Sequence, residues 1–145
     1  MAKEDGGKST PRGWLLKTEP DCYSFKDLER EGKTVWDGVT NNLALRNIRN
    51  IKKGDQLLIY HTGNEKTVAG LAEAASPPYP DPNANDPKLV VVDVKPRKRA
   101  PNAVTLGDIK QIRDLAASDL VRLPRLSVVP LTEKEWNKIT ALAGL

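Results

Sequence analysis

Residues 36–46 read Trp36-Asp37-Gly38-Val39-Thr40-Asn41-Asn42-Leu43-Ala44-Leu45-Arg46, where a short β-prone run passes through a tight turn into an amphipathic helix. Gly38 gives the turn access to backbone angles that are closed to other residues. Asn41 and Asn42 carry amides that either cap a helix or present hydrogen-bond donors and acceptors. With the flat face of Trp36 the stretch suits a planar polar ligand, although a core tryptophan followed by a capping asparagine is the commoner meaning of such a pattern.

Length and composition favour one intracellular domain. The 145 residues suffice for a core without disulfide or metal staples, and the charge of +4 with a pI near 9.2 fits a polyanionic partner or an ordinary basic enzyme. A single cysteine excludes an intrachain disulfide, and one histidine leaves no Cys/His zinc cluster, so we expect no cofactor. Residues 1–13 lack the apolar core of a signal peptide, and no apolar run approaches the roughly 20 residues of a membrane span. We expect a cytoplasmic protein, or a nuclear one in a eukaryotic cell.

The spacing of apolar residues, together with residues that end helices and strands, predicts short strands that alternate irregularly with short helices. The predicted strands are Trp14–Glu19, Lys33–Trp36, Gln56–Thr62, Thr67–Ala75, Lys88–Arg99 and Arg125–Leu131. The predicted helices are Ser24–Glu31, Leu43–Ile51, Leu106–Leu115 and Glu133–Leu142. Five prolines within residues 76–87 predict a loop or extended segment there.

Five or six short strands without regular βα alternation predict an α+β fold, a mixed and largely antiparallel β-barrel with short flanking helices. The folded domain should span residues 13–145, and the polar residues 1–12 should form a mobile tail. The predicted core consists of apolar side chains from the strands and the inner helix faces. These are Leu15, Leu16, Leu28, Leu45, Ile48, Leu57, Ile59, Val68, Leu71, Val90, Val92, Leu126, Val128 and Trp136.

Catalytic chemistry finds little support in the sequence. His61 is the only histidine, and the one thiol, Cys22, follows a Pro-Asp turn with no distinctive surroundings. The acids Glu19, Asp37 and Asp81 are isolated in turns, where solvated or capping roles are commoner than acid/base pairs or cation sites. No glycine-rich loop precedes the lysine and serine that bind nucleotide phosphates, so nucleotide hydrolysis is not expected.

A basic run lies where the strongest predicted strand ends. Its cations are Lys95, Arg97, Lys98 and Arg99. They are candidates for contacts with nucleic-acid phosphates, and an exposed, charged strand end explains them equally well.

Five blocks of the sequence, taken together and in order, resemble the EVE domain family of the PUA-like group. The blocks are Trp14-Leu15-Leu16-Lys17-Thr18-Glu19-Pro20, Trp36-Asp37-Gly38-Val39-Thr40-Asn41, Tyr60-His61-Thr62, Tyr79-Pro80-Asp81-Pro82 and Arg125-Leu126-Ser127-Val128. The resemblance implies a PUA-like β-barrel with a pocket for a modified nucleobase, typically a modified cytosine, taken from nucleic acid. The chain departs from the family pattern at five positions. Thr18 and Thr62 lie where serine is usual, and Thr40, Asn42 and Leu43 lie where arginine, tyrosine and glutamine are usual.

The same resemblance implies a set of ligand-binding residues at the ends of the first and central strands and around the opening stretch. They are Lys17, Thr18, Glu19, Trp36, Val39, Asn41, Tyr60, His61, Thr62, Tyr79, Asp81, Arg125 and Ser127. Trp36 would stack on an extruded base, and Asn41 would read its edge as both donor and acceptor.

We therefore expect a non-catalytic, monomeric module that binds DNA or RNA carrying a modified base and has no membrane partner. An RNA-modification or nucleotide-processing enzyme that uses His61 and Asp81 is the alternative. A protein-interaction module without nucleic-acid binding is the third possibility.

Overall fold

A computed structural model describes residues 11–145, and residues 1–10 of the predicted tail lie outside the described part of the chain. The strands are β1 Gly13–Thr18, β2 Thr34–Trp36, β3 Gln56–His61, β4 Thr67–Ala74, β5 Tyr79–Pro80, β6 Val90–Thr105 and β7 Val128–Leu131. The helices are α1 Phe25–Glu31, α2 Asn42–Arg49, α3 Leu106–Lys110, α4 Asp119–Arg122 and α5 Glu133–Ala143, with a 3-10 turn at Arg113–Leu115. Among these described helices, none has the length and apolar character that crossing a membrane requires.

The strands form one mixed sheet in the order β2-β6-β4-β3-β1-β7, and β5 pairs with the start of β6. Only β1 and β3 run parallel among the described pairs, so their carboxyl ends, Thr18 and His61, lie side by side at one edge. Helix α2 packs against both β6 and β7 and so connects the two halves of the curled sheet. The predicted α+β class, mixed and largely antiparallel, is confirmed.

Helices α1, α3 and α5 each begin with a capping box, a Ser or Thr followed three residues later by an acid. The pairs are Ser24 with Asp27, Thr105 with Asp108, and Thr132 with Glu135. In each pair the hydroxyl accepts a hydrogen bond from the backbone N–H of the acid, and the acid accepts one from the N–H of the capping residue. Local sequence therefore fixes where these helices start.

The core lies between the curled sheet and the helices. Every predicted core residue is buried except Leu71, which is partly buried and packs against the cluster. Strand β4 has a glycine, Gly70, at the position where the ring of Phe25 packs against its backbone. A Cβ at that position would lie 2.5 Å from Phe25 Cζ. The glycine thus lets α1 approach the sheet closely.

Strand β6 is longer than predicted, since it continues through Thr105 and pairs there with Thr67 at the start of β4. Its two prolines, Pro96 and Pro101, lie where the register between β4 and β6 shifts. A bulge removes the need for a ladder hydrogen bond at a proline, which explains why the strand tolerates both.

Two other predicted boundaries are wrong. The helix predicted to reach Leu115 ends at Lys110, because Ile112 adopts extended angles (φ −89°, ψ 118°) before the 3-10 turn. Strand β7 begins at Val128 instead of Arg125, because the N–H of Leu126 donates to the carbonyl of Leu123 in a turn. Helix α4, which precedes that turn, was not predicted.

Candidate functional site

Polar side chains gather at the edge where β1 and β3 end. The parallel register places Lys17 beside Tyr60 and Thr18 beside His61. Thr62 continues the edge, and its N–H donates to the Thr18 carbonyl over 2.9 Å. The structure therefore brings together the site residues predicted from the first and third blocks.

Lys17 connects this edge to the chain between α4 and β7. Its Nζ donates to the carbonyl of Pro124 over 2.9 Å and lies 5.7 Å from the centre of the Tyr60 ring. Its backbone N–H donates to the carbonyl of Ser127 over 2.9 Å. Burial lowers the pKa of the Lys17 ammonium below its ordinary value, and burial raises the pKa of the Tyr60 phenol.

An open groove of about 320 Å³ lies beside Pro124, between the start of α2 and the chain that links α4 to β7. We call it the α2–β7 groove. Its lining residues are Asn41, Leu43, Arg122, Leu123, Pro124, Arg125 and Leu126. Apolar walls with a few polar groups, and a volume in the range of about 300–1,000 Å³, are typical of small-ligand sites.

Asn41 is both the N-cap of α2 and a lining residue of this groove. Its Oδ1 accepts a hydrogen bond from the backbone N–H of Ala44 over 3.0 Å, and the residue as a whole is exposed. No described residue accepts a hydrogen bond from its Nδ2, so that group can still donate to a ligand. The sequence-based expectation is that Asn41 offers a ligand both a donor and an acceptor. In the structure the helix cap uses the acceptor Oδ1, so the donor Nδ2 is the group that Asn41 offers to a ligand.

Trp36 is a core residue with 7% of its surface exposed. The edge of its ring system meets Tyr23, with the ring centroids 6.3 Å apart and the planes at 87°. Tyr23 is held in turn by the Thr18 hydroxyl, which donates to the Tyr23 carbonyl over 2.7 Å. The indole offers no open stacking face because the packed core covers it, and in this respect the structure differs from the sequence-based expectation. Val39, from the same block, is partly buried against the core.

His61 joins α1 to β3 and is 9% exposed. Its Nε2 accepts a hydrogen bond from the backbone N–H of Phe25 over 3.0 Å, so the ring proton lies on Nδ1, which is 2.8 Å from Glu65 Oε1. Both ring nitrogens are therefore engaged within the protein. The hydroxyl of Thr62 is engaged as well, since it donates to the Thr18 carbonyl over 3.4 Å.

The remaining predicted site residues lie outside the groove, except Arg125, which lines it. Tyr79 in β5 donates from its hydroxyl to Asp93 Oδ1 over 2.6 Å, and Asp81 accepts from the N–H of Asn83 over 2.9 Å within a turn. Glu19 is exposed, and its carbonyl accepts hydrogen bonds in the turn that follows β1. In residues 11–145, no group of three or more His, Cys, Asp or Glu side chains is placed to hold a metal ion.

Comparison with known proteins identifies the family. The model of the EVE domain matches residues 12–142. The chain belongs to the EVE domain family. Protein Atu2648 from Agrobacterium tumefaciens is 35% identical and superposes with a TM-score of 0.88 over 91% of this chain and 92% of its own. Mouse thymocyte nuclear protein 1 is 28% identical over 173 residues, covering 96% of this chain and 76% of the relative.

One further solved structure bears on ligands. Human thymocyte nuclear protein 1 (THYN1), in complex with 5-methylcytosine-containing DNA, is 27% identical and has a TM-score of 0.84 over 92% of this chain and 98% of its own. The superposition confirms the α+β, PUA-like fold of this EVE domain.

The basic run of this EVE domain has partners within the protein. Lys95 and Arg97 each lie 3.5 Å from carboxylate oxygens of Glu73, and Arg99 pairs with Glu29 at 2.5 Å. Lys98 donates to the carbonyl of Gly144 over 3.0 Å. None of the four lines the groove, so their predicted role in phosphate binding stays a prediction.

Sequence reasoning missed several lining residues of this EVE domain. Arg122, Leu123 and Pro124 belong to α4 and the turn after it. A four-residue helix is too short to show a helical period in the sequence, and the segment forms a wall of the groove only in the folded chain, where Lys17 donates to Pro124. The proline before a β-prone run was the one signal available, and it marks a turn without indicating a site.

The tyrosines of this EVE domain should ionise at a higher pH than a free tyrosine, because the pKa of each is raised. A hydrogen bond to Asp93 raises the pKa of Tyr79 to about 12, and burial together with a hydrogen bond to Glu31 raises that of Tyr23 to about 12. Since the native pKa values exceed the unfolded value of about 10, the native state holds more protons above that pH. Stability from these groups is complete below about pH 10 and is lost as the pH rises towards 12.

Phenolate absorbance measured in native and urea-unfolded protein checks this expectation. All three tyrosines should ionise near pH 10 after unfolding, and Tyr79→Phe should remove one native transition near 12. A full native transition at the ordinary pKa would contradict the shifts.

Proposed function

We propose that this EVE domain binds nucleic acid without catalysis and holds a modified cytosine, of the 5-methylcytosine type, in the α2–β7 groove. The observation that carries the proposal is the groove itself, which Asn41 lines together with Leu43, Leu123, Pro124 and Leu126. The complex of human thymocyte nuclear protein 1 with 5-methylcytosine-containing DNA supports the choice of ligand.

The groove supplies two kinds of recognition. The apolar side chains contact the faces and the methyl group of a base, as pockets for flipped bases do. The Nδ2 of Asn41 donates to an acceptor on the base edge, while the bond from Ala44 N–H to Oδ1 keeps the amide in one orientation. Cytosine presents ring-nitrogen and carbonyl acceptors on its pairing edge, which matches a donor.

The residues at the strand edge position the groove. Lys17 holds Pro124 through its ammonium. His61 fixes the start of α1 to the end of β3. Because these contacts exist without ligand, the groove is preorganised and less ordering free energy is lost on binding.

The enzymatic alternative has weaker support. Both nitrogens of His61 already have hydrogen-bond partners, and Asp81 is engaged in its own turn. A general base needs an available lone pair within reach of a substrate proton. We therefore assign neither residue a catalytic role.

A base must leave its stack to enter the groove, which costs a few kcal/mol in a duplex. Single strands and weakened pairs should accordingly bind better than matched duplexes. DNA and RNA are both candidates, because either can carry a modified cytosine. We further propose that residues 13–145 act as one monomeric domain, in the cytoplasm or, in a eukaryote, in the nucleus, as the name of the curated relatives suggests.

Fluorescence anisotropy with single-stranded DNA and RNA of one sequence, carrying either cytosine or 5-methylcytosine at one position, tests the proposal. Burying one methyl group is worth about 0.8 kcal/mol, so the methylated strand should bind about fourfold more tightly. Equal affinity for both strands in both nucleic acids would refute base reading. Release of a chemically altered base or nucleotide would establish the enzymatic alternative instead.

A further inference from the structure

Three arginines border the α2–β7 groove. Arg122 and Arg125 line it directly, and Arg46 lies one helical turn along α2 from the lining residue Leu43. All three are exposed. Arg122 pairs with Asp119 at 2.6 Å, and neither Arg46 nor Arg125 forms an ion pair with another described residue.

Three cations of β6, namely Lys95, Arg97 and Arg99, differ from Arg46 and Arg125 because they have acidic partners. Glu73 lies between Lys95 and Arg97, and Glu29 binds Arg99, so acidic side chains offset much of their charge. A phosphate that bound there would have to compete with these carboxylates. The guanidinium groups of Arg46 and Arg125, which form no ion pair with a described residue, meet no such competition, and their planar donor set matches phosphate oxygens. Arg122 contributes from the groove lining itself, although its partner Asp119 competes for it.

Covalent geometry also favours the groove cations. A nucleobase in the groove remains attached to its sugar, and the sugar carries phosphates on both sides. Those phosphates must therefore lie close to the mouth of the groove, within the region that the arginines border. Contacts of this kind hold the strand in register and carry no sequence information.

We propose that Arg46, Arg122 and Arg125 form the surface that binds the phosphates flanking the base, in place of the basic run on β6. This inference rests on the proposed function, because it takes the groove as the position of the base. It assigns the strand a path from the flank of α2 across to the turn after α4.

The salt dependence of binding measures the number of phosphate contacts. Each contact with a single strand contributes about 0.7 to the slope of log K against log salt concentration. Arg122→Gln combined with Arg125→Gln should thus lower the slope by about 1.4, and Arg46→Gln should lower it by about 0.7. The ratio of affinities for methylated and plain strands should stay as in the wild type for Arg46→Gln, which does not line the groove.

A charge-matched control separates local contacts from net charge. Lys134→Gln with Lys138→Gln removes two positive charges from α5, which does not line the groove, and should leave the slope unchanged. An unchanged slope in the arginine variants would overturn the proposal, as would a loss of slope in Lys95→Gln with Arg97→Gln instead. Failure of the proposed function has a different signature, namely wild-type protein that binds methylated and plain strands equally whatever the slopes.

Discussion

Asn41→Asp is expected to lower the affinity for a modified-cytosine strand by about 10- to 100-fold while leaving the free energy of unfolding unchanged. Asparagine and aspartate are about equally good N-caps, so the bond from the Ala44 N–H to the side-chain oxygen persists. The second amide position changes from a donor to an acceptor. A base acceptor in the groove then faces a carboxylate oxygen and loses its partner.

Two further variants make the result interpretable. Asn42→Asp introduces the same charge one residue later, outside the groove lining, and reports what charge alone does to binding. Asn41→Ala removes the cap as well and should lower the free energy of unfolding by about 1 kcal/mol. Urea unfolding and anisotropy on the same samples give both quantities. If Asn41→Asp binds like the wild type while Asn41→Ala is destabilised, Asn41 is a cap and nothing more.

Local sequence predicts those parts of this fold that depend on neighbours along the chain. The three capping boxes lie where the hydroxyl-to-acid spacing indicated, and Gly32 ends α1 at a φ of 79°. A run of β-forming residues that is apolar on both faces placed β3 in the core, where its residues from Leu57 to His61 are all buried. For the helix ends, the controlling contacts lie within a few residues of the element.

Properties that depend on distant partners could not be predicted. The length of β6 depends on its pairing with β4, and the end of β7 nearest the groove is set by a turn that Lys17 holds from another strand. Exposure of an aromatic face is also a tertiary property, which is why the stretch beginning at Trp36 did not reveal which way the indole points. The amide of Asn41 shows the same effect, because capping and binding use different atoms of one side chain.

Trp36→Ala is expected to lower the free energy of unfolding by about 3–5 kcal/mol, the usual cost of truncating a buried tryptophan. The side chain fills the space between β2 and Tyr23, and its removal leaves a cavity that a short strand cannot close. Val35→Ala is the matched control. It lies on the same strand with 43% of its surface exposed, and a surface change of this kind stays within about 0.5 kcal/mol.

The binding affinity of Trp36→Ala distinguishes a core-packing role of Trp36 from direct stacking of its indole on the base. If Trp36 contributes only to core packing, the affinity calculated for the folded fraction should stay near the wild-type value, and only that fraction should fall. Direct stacking on the base would instead cost about 1–3 kcal/mol in the folded molecules, and Trp36→Phe, which keeps an aromatic ring, would restore much of the loss. Burial at 7% exposure favours the first outcome. Urea unfolding gives the folded fraction, and anisotropy at low temperature gives the affinity. These two measurements decide between the outcomes, because loss of stacking lowers the affinity of each folded molecule, whereas loss of core packing lowers only the folded fraction.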